Sequence, residues 1–137
     1  LAVNGPQQLL AAHGWSPIQA MSVSRTPRHY RDFIQSSKAE FGVAKHAYVS
    51  TQSGWFSDRT ACYLAAGRPA LVQDTGWSAH VPAGTGLLSF STMEEAVEGL
   101  SSLEADYRTH ARRASDIAQE CFDASKVLPP FLERACA

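Results

Sequence analysis

Short apolar runs alternate along the chain with longer stretches that repeat apolar residues at helical spacing. The apolar runs, which indicate buried strands, occupy residues 1–3, 17–21, 41–44, 70–73 and 87–90. Strands that alternate with helices favour a parallel sheet with right-handed crossovers. The pattern therefore predicts an α/β fold with one open parallel sheet of about four or five strands, flanked by helices, in a single domain over residues 1–137.

Residues with capping preferences mark where the helices are expected to begin and end. Thr26 followed by Pro27 indicates one helix start, because threonine accepts a helix N–H and proline suits the first helical position. Ser57 indicates the start of another helix. Gly14 and Gly67 are predicted to end helices, because glycine adopts the left-handed cap conformation without strain. The intervening residues 45–56 are predicted to form a long loop.

Residues 91–137 are predicted to form a helical C-terminal segment of the same domain. Ser91 and Glu94 have the spacing of a capping box. A short third helix is expected to start at Pro129 and Pro130. The apolar stripes of the two long helices, which we expect in the core, are Met93, Ala96, Val97, Leu100 and Leu103 in the first and Tyr107, Ala111, Ala114, Ile117, Ala118 and Cys121 in the second.

Three loops are predicted to meet at the carboxyl edge of the sheet, where open α/β folds bind ligands. The first loop leads into the helix at Ser57, whose free N–H groups and positive dipole end favour an anion, and Arg59 adds a charge-assisted contact for phosphate. Trp55 and Trp77 lie in the loops and are the better candidates for base-stacking platforms, although a core or rim position is commoner for a tryptophan. The other two loops contain Asp74, Thr75 and Gly76, and Gly84 and Gly86.

Each of these signals also has a purely structural interpretation. Ser57 and Asp58 suit an ordinary helix cap. Gly84 and Gly86 lack the third glycine and the following helix of a dinucleotide-binding fingerprint. Local chemistry alone therefore favours no more than an anion-tolerant helix start.

Composition excludes several classes of function. The chain has 137 residues, 45% of them hydrophobic and 18% charged, and a net charge of −1, which is typical of a soluble domain and gives no basic excess for nucleic acid. We see no transmembrane segment and no signal peptide, and expect a cytoplasmic protein. Cys62, Cys121 and Cys136 form no CxxC pair, so no metal site or disulfide framework is predicted, and the three are expected to be small apolar fillers. Leu1 opens the chain without a methionine, which is typical of a trimmed or processed chain or of a piece of a longer protein.

Five segments taken in order resemble a bacterial group of GT-B-type glycosyltransferases. They read FGVAK at 41–45, SGWFSDR at 53–59, YLAAGRP at 63–69, QDTG at 73–76 and PAGTGLL at 82–88, and they run across roughly half the chain. The resemblance implies a Rossmann-like C-terminal domain that binds a nucleotide-diphospho-sugar as donor substrate, with no further cofactor. Carried over by position, it assigns the donor contacts. Phosphate or ribose would be met by Trp55, Phe56, Ser57, Asp58 and Arg59, the sugar or nucleotide by Asp74, Thr75 and Gly76, and the site would be closed by Gly84 and Gly86.

Two departures from the family pattern narrow this expectation. Cys62 stands near the position where many related retaining enzymes carry a glutamate that holds the ribose. The acceptor-binding domain of the family, with any catalytic base that it supplies, would precede this one and has no room in 137 residues. We therefore expect a donor-binding half that does not transfer sugar alone, and we assign no catalytic residue.

Two alternatives stay open at this point. A non-catalytic α/β interaction module would form a homodimer through the apolar cleft face that a severed domain exposes. A different small α/β enzyme, such as a phosphatase or hydrolase, would need a nucleophile elbow, a Ser-His-Asp set or a DxD metal pair, and the sequence offers none in a convincing context.

Overall fold

The computed structural model describes residues 2–3 and 7–136, which form two compact units. The first unit extends to Ser36 and the second begins at Ser37. The grouping of residues 1–137 into one domain, with 91–137 as its helical C-terminal segment, stays a prediction.

The first unit contains a two-stranded parallel sheet and three helices. Two of the sequence signals are confirmed here: Gly14 follows the first helix with a φ of 81°, and the His29 N–H donates to Thr26 Oγ1 over 3.2 Å at the start of the third. The strand predicted at 17–21 is shorter than expected, because the chain turns helical at Ala20. Leu1, the first residue of the apolar run at 1–3, lies outside the described residues. The elements are β1 (Ala2–Val3), α1 (Gln7–Ala12), β2 (Ile18–Gln19), α2 (Ala20–Val23) and α3 (Pro27–Ser36).

The second unit is built on a parallel sheet of three strands: β3 (Glu40–Gly42), β4 (Ala70–Gln73) and β5 (Leu87–Phe90). The strands lie in the order β3-β4-β5, and their first residues, Glu40, Ala70 and Leu87, share one register. The parallel α/β class is thus confirmed. One sheet of four or five strands is not confirmed, because in the described residues β1 and β2 pair only with each other.

Helices cover both faces of this sheet. The helices of this unit are α4 (His46–Ser50), α5 (Asp58–Ala65), α6 (Met93–Ala105), α7 (Tyr107–Cys121) and α8 (Ala124–Ala135), of which α5, α6 and α7 contact the strands. On one face α5 and α7 pack together over a core that includes Leu64, Val72, Leu87 and Ile117. On the other face α6 covers a smaller core around Leu71. No helix in the described part of the chain is long and apolar enough to cross a membrane.

Several predicted details of the helices are wrong by a residue or by a face. The helix α4 lies inside the predicted long loop at 45–56, and α8 begins at Ala124 and contains Pro129 and Pro130 instead of starting there. The capping box is formed by Thr92 and Glu95, one residue later than predicted. In α6 the residues that face the sheet are Ala96, Gly99 and Leu103, whereas Met93, Val97 and Leu100 are exposed.

Candidate functional site

A small pocket lies at the carboxyl edge of β3 and β4, where α5 begins. Its wall includes Gly42, which ends β3, and Ala44, which follows it. The wall also includes Trp55 and Ser57, which lead into α5, and Arg59 in the first turn of that helix. The enclosed volume is about 20 Å³, which is room for a single water molecule. The first of the three predicted loops therefore lies at the predicted edge of the sheet. A ligand larger than water would lie across the mouth of this pocket.

The first turn of α5 offers backbone N–H groups at this mouth. Ser57 is the N-cap residue in extended conformation, as predicted, but its side chain makes no capping hydrogen bond. The Asp58 carboxylate accepts the N–H of Arg59 over 2.8 Å instead. A helix N-terminus carries partial positive charge, so the Ser57 hydroxyl, which makes no capping bond, and the adjacent N–H groups suit an anion. The exposed Asp58 carboxylate has the same sign of charge as that anion and would compete with it for the helix N-terminus.

Arg59 is held by a carboxylate that the sequence analysis missed. Arg59 Nε lies 2.6 Å from Glu40 Oε1; the Glu40 side chain is 3% exposed and that of Arg59 is 49% exposed. The second carboxylate oxygen, Glu40 Oε2, is buried and accepts no hydrogen bond from the described residues. Glu40 escaped notice because it opens β3 just before the apolar run at 41–44, where a charged residue resembles a strand boundary.

Cys62 lies on α5 near the same charges. Partial removal of the Cys62 thiol from water raises its pKa, and the negative charges of Asp58 and Glu40 raise that pKa further. The thiol is therefore protonated at neutral pH and unsuited to nucleophilic attack. Cys62 and Cys136 are both exposed, so the expectation of an apolar filler is wrong at these two positions, and none of the three cysteines forms a disulfide.

The aromatic residues of the first loop divide between solvent and core. Trp55 stacks on Tyr48 with ring centroids 4.9 Å apart and remains 42% exposed. Phe56 stacks on Phe122 and packs edge-on against Trp77, so its ring belongs to the core behind the pocket. Trp77 is buried and its Nε1–H donates to the carbonyl of Gln73. Of these three rings, that of Trp55 is the one exposed beside the pocket, whereas Trp77 takes the core position that is the commoner one for a tryptophan and is not a stacking platform.

The second predicted loop supports the first from behind. The Thr75 hydroxyl donates to the carbonyl of Trp55 over 2.7 Å, and the Thr75 carbonyl accepts the N–H of Gly54 over 2.7 Å. Gly76 lies so close to the chain that an added Cβ would stand 3.1 Å from the carbonyl oxygen of Gln52. Thr75 and Gly76 thus fix the backbone that carries Trp55.

Asp74 is committed to its own turn. Its carboxylate accepts the Ser78 hydroxyl over 2.6 Å and the N–H of Gly76 over 2.8 Å. Partial burial raises the pKa of the Asp74 carboxyl, but these hydrogen bonds outweigh burial and leave the pKa below its ordinary value. The anionic carboxylate therefore holds the turn that follows β4, and it bonds to Gly76 and Ser78 within that turn.

The third predicted loop lies at the opposite edge of the sheet. Gly86 immediately precedes Leu87, which opens β5 beside Ala70 of β4, whereas the pocket lies where β3 and β4 end. The Gly86 N–H donates to Nδ1 of the buried His110, and an added Cβ on Gly86 would stand 2.6 Å from the backbone nitrogen of Ala114 in α7. Gly84 and Gly86 therefore do not lie at the pocket, and the expectation that they close it is wrong. Gly86 has no side chain because the backbone of α7 occupies the space that a Cβ would need.

Metal chemistry has no visible ligand set in the described residues, where no three His, Cys, Asp or Glu side chains cluster. Comparison with known proteins adds no identity: no protein-family model, no curated protein and no solved structure matches the chain.

Proposed function

We propose that this chain binds a nucleoside diphosphate, or the nucleotide-diphospho-sugar that contains it, at the N-terminus of α5. The observation that carries the proposal is the convergence of Ser57, Arg59 and the exposed Trp55 on one pocket at the carboxyl edge of the parallel sheet. That edge is where open α/β sheets bind ligands. The helix N–H groups and Arg59 would receive the diphosphate, and the open face of Trp55 would receive the base.

In this proposal the three-stranded sheet is the centre of a Rossmann-like donor-binding domain of GT-B type, working in the cytoplasm. The resemblance of the five sequence segments supports that assignment, and an acceptor-binding domain outside this chain would complete the transferase. Negative charge grows on the leaving diphosphate during glycosyl transfer, and donors already aimed at it stabilise that charge. The role of this half is then to bind the donor and stabilise the leaving group, and we expect no transfer by the chain alone.

Isothermal titration calorimetry with UDP, GDP, ADP and dTDP tests the proposal. Aspartate is a good N-cap residue, so Ser57→Asp should keep or strengthen α5 while placing a negative charge where the diphosphate would lie. At a separation of about 4 Å in a water-like medium each pair of like charges costs about 1 kcal/mol, so we expect affinity to fall about 10-fold or more.

Ser101→Asp is the matched control, because it adds the same charge to an exposed position of α6 on the other face of the sheet. The proposal requires wild type and Ser101→Asp to bind one of the four diphosphates alike. Absence of binding by wild type, or equal binding by Ser57→Asp, would exclude the site.

A second candidate function, a non-catalytic module that forms a homodimer, is favoured by one observation. No described residue of α8 is buried, and the helix exposes four large apolar side chains. They lie on one side of the helix at Val127, Leu128, Phe131 and Leu132. Exposed apolar patches of this kind mark association surfaces.

Sedimentation velocity over a wide range of protein concentration tests this candidate. Phe131→Lys should abolish a concentration-dependent dimer, whereas the neighbouring Glu133→Lys changes charge without removing apolar surface and should leave it. A wild type that stays monomeric at every concentration argues against association.

A further inference from the structure

We propose that Glu40 is the positioning residue of the anion site: its buried carboxylate fixes Nε of Arg59 and thereby holds the guanidinium at the rim of the pocket. This inference rests on the proposed function, because the positioned group matters only if an anion binds there. In this role Glu40 does not contact the ligand itself and acts through Arg59, which does.

The geometry places Glu40 beneath the pocket wall. Glu40 and Gly42 are two residues apart on β3, so they face the same side of the sheet as each other. An added Cβ on Gly42 would stand 3.6 Å from Glu40 Oε1, and it would meet Val72 Cγ1 at 2.9 Å. The carboxylate therefore lies directly alongside the bare Gly42 that lines the pocket, where Arg59 reaches it from α5.

The cost of burying Glu40 argues that Arg59 is strongly constrained. A carboxylate that is almost wholly removed from water needs an opposite charge or hydrogen bonds. In the described residues Glu40 Oε1 has Arg59 as its ion-pair partner and Glu40 Oε2 accepts no hydrogen bond. Loss of the Arg59 contact would leave the buried charge uncompensated, so the contact is expected to persist.

The contact also leaves Arg59 able to serve a ligand. Arg59 meets Glu40 through Nε, the side chain is about half exposed, and it lines the pocket. A long arginine side chain otherwise loses much rotamer freedom when it binds an anion. Because Glu40 has already restricted that freedom, we expect its contact with Arg59 to raise diphosphate affinity about 3- to 10-fold.

The test compares two variants that both remove the Glu40 charge. Glu40→Gln keeps an acceptor oxygen for Arg59 Nε, whereas Glu40→Leu replaces the buried carboxylate with an apolar side chain of similar size. Both variants remove the repulsion between the Glu40 carboxylate and the bound anion. A difference in their diphosphate affinity therefore measures the effect of the contact with Arg59. The ligand is whichever of UDP, GDP, ADP and dTDP binds wild type most tightly, and we expect Glu40→Gln to bind it about 3- to 10-fold more tightly than Glu40→Leu.

A spectroscopic readout needs no ligand. The Arg59 Nε–H resonance in a ¹H–¹⁵N spectrum should be protected from solvent exchange in wild type and in Glu40→Gln, and should lose that protection in Glu40→Leu. Circular dichroism confirms that each variant is folded, and Glu40→Met replaces Glu40→Leu if the latter does not fold.

The outcomes separate the two proposals. If wild type binds none of the four diphosphates, the proposed function fails and this inference fails with it. If wild type binds but Glu40→Gln and Glu40→Leu bind equally, or if Arg59 Nε–H is unprotected in wild type, the positioning role alone is overturned.

Discussion

Replacing Gly86 with alanine should destabilise the protein far more than the same change at Gly84. Both glycines lie in the loop before β5 and both have positive φ, 87° at Gly86 and 130° at Gly84. They differ in their surroundings. A Cβ on Gly86 would stand 2.6 Å from the Ala114 nitrogen and 2.9 Å from the Arg113 carbonyl carbon, whereas a Cβ on Gly84 would meet nothing within 4 Å.

The expected loss of stability has two contributions, backbone strain at positive φ and overpacking. A side chain at positive φ costs about 1–2 kcal/mol at either position. Overpacking adds about 1–3 kcal/mol in a core, and the atoms met at Gly86 are helix backbone that cannot rotate away. We therefore expect a loss of about 2–5 kcal/mol for Gly86→Ala and about 1–2 kcal/mol for Gly84→Ala. The first is a large part of the about 5–15 kcal/mol that typically stabilises a domain.

Urea denaturation followed by circular dichroism measures both free energies of unfolding, and linear extrapolation gives the difference. Diphosphate binding to Gly84→Ala should equal that of wild type, since the loop is remote from the pocket. Equal destabilisation by the two substitutions would refute the packing role of Gly86, and weaker binding by Gly84→Ala would return this loop to the site.

The remaining predictions concern three charged groups. Arg59→Met should cost about 2–3 kcal/mol of stability in urea denaturation, because it leaves Glu40 buried without its cation. The double variant Glu40→Leu/Arg59→Met should recover most of that loss. A double variant less stable than Arg59→Met would contradict this expectation. Asp58→Asn should tighten diphosphate binding about 2- to 5-fold in calorimetry by removing a like charge from the first turn of α5, whereas weaker binding would assign Asp58 to the ribose instead. Asp74→Asn should be less stable than wild type at neutral pH, because the lowered pKa of Asp74 means that its ionised form stabilises the fold above the unfolded value of about 3.9. That stability is lost as pH falls through the folded pKa, so thermal melts should converge under acid conditions, and a gap independent of pH would count against the Asp74 hydrogen bonds.

Local patterns predicted several elements of the second unit, because those elements depend on neighbouring residues, whereas α4 was not predicted. The apolar runs at 70–73 and 87–90 became β4 and β5, and Ser57 marks the start of α5. The orientation of α6 was not predictable in the same way. Apolar residues cover a wide arc of that helix, and Gly99, whose missing side chain lets Leu71 approach, decides which part of the arc meets the sheet.

The candidate site was predicted in part for a similar reason. The pocket gathers Trp55, Ser57 and Arg59 because one short loop carries all three into a helix start. Glu40 could not be predicted, since its role depends on a partner 19 residues away in the chain. Gly86 was misassigned because a glycine indicates close approach by some group, and the sequence does not say whether that group is a ligand or, as here, the backbone of α7.

Chemical-shift mapping tests the binding site at the N-terminus of α5 most directly. UDP, GDP, ADP and dTDP would each be titrated into ¹⁵N-labelled protein while backbone amide and indole resonances are followed. We predict that one of them shifts the amide resonances of Ser57 and Arg59 and the indole N–H resonance of Trp55, and leaves those of Gly84 and Gly86 unchanged. Saturating shifts confined to another surface, or no shifts with any of the four, would contradict it.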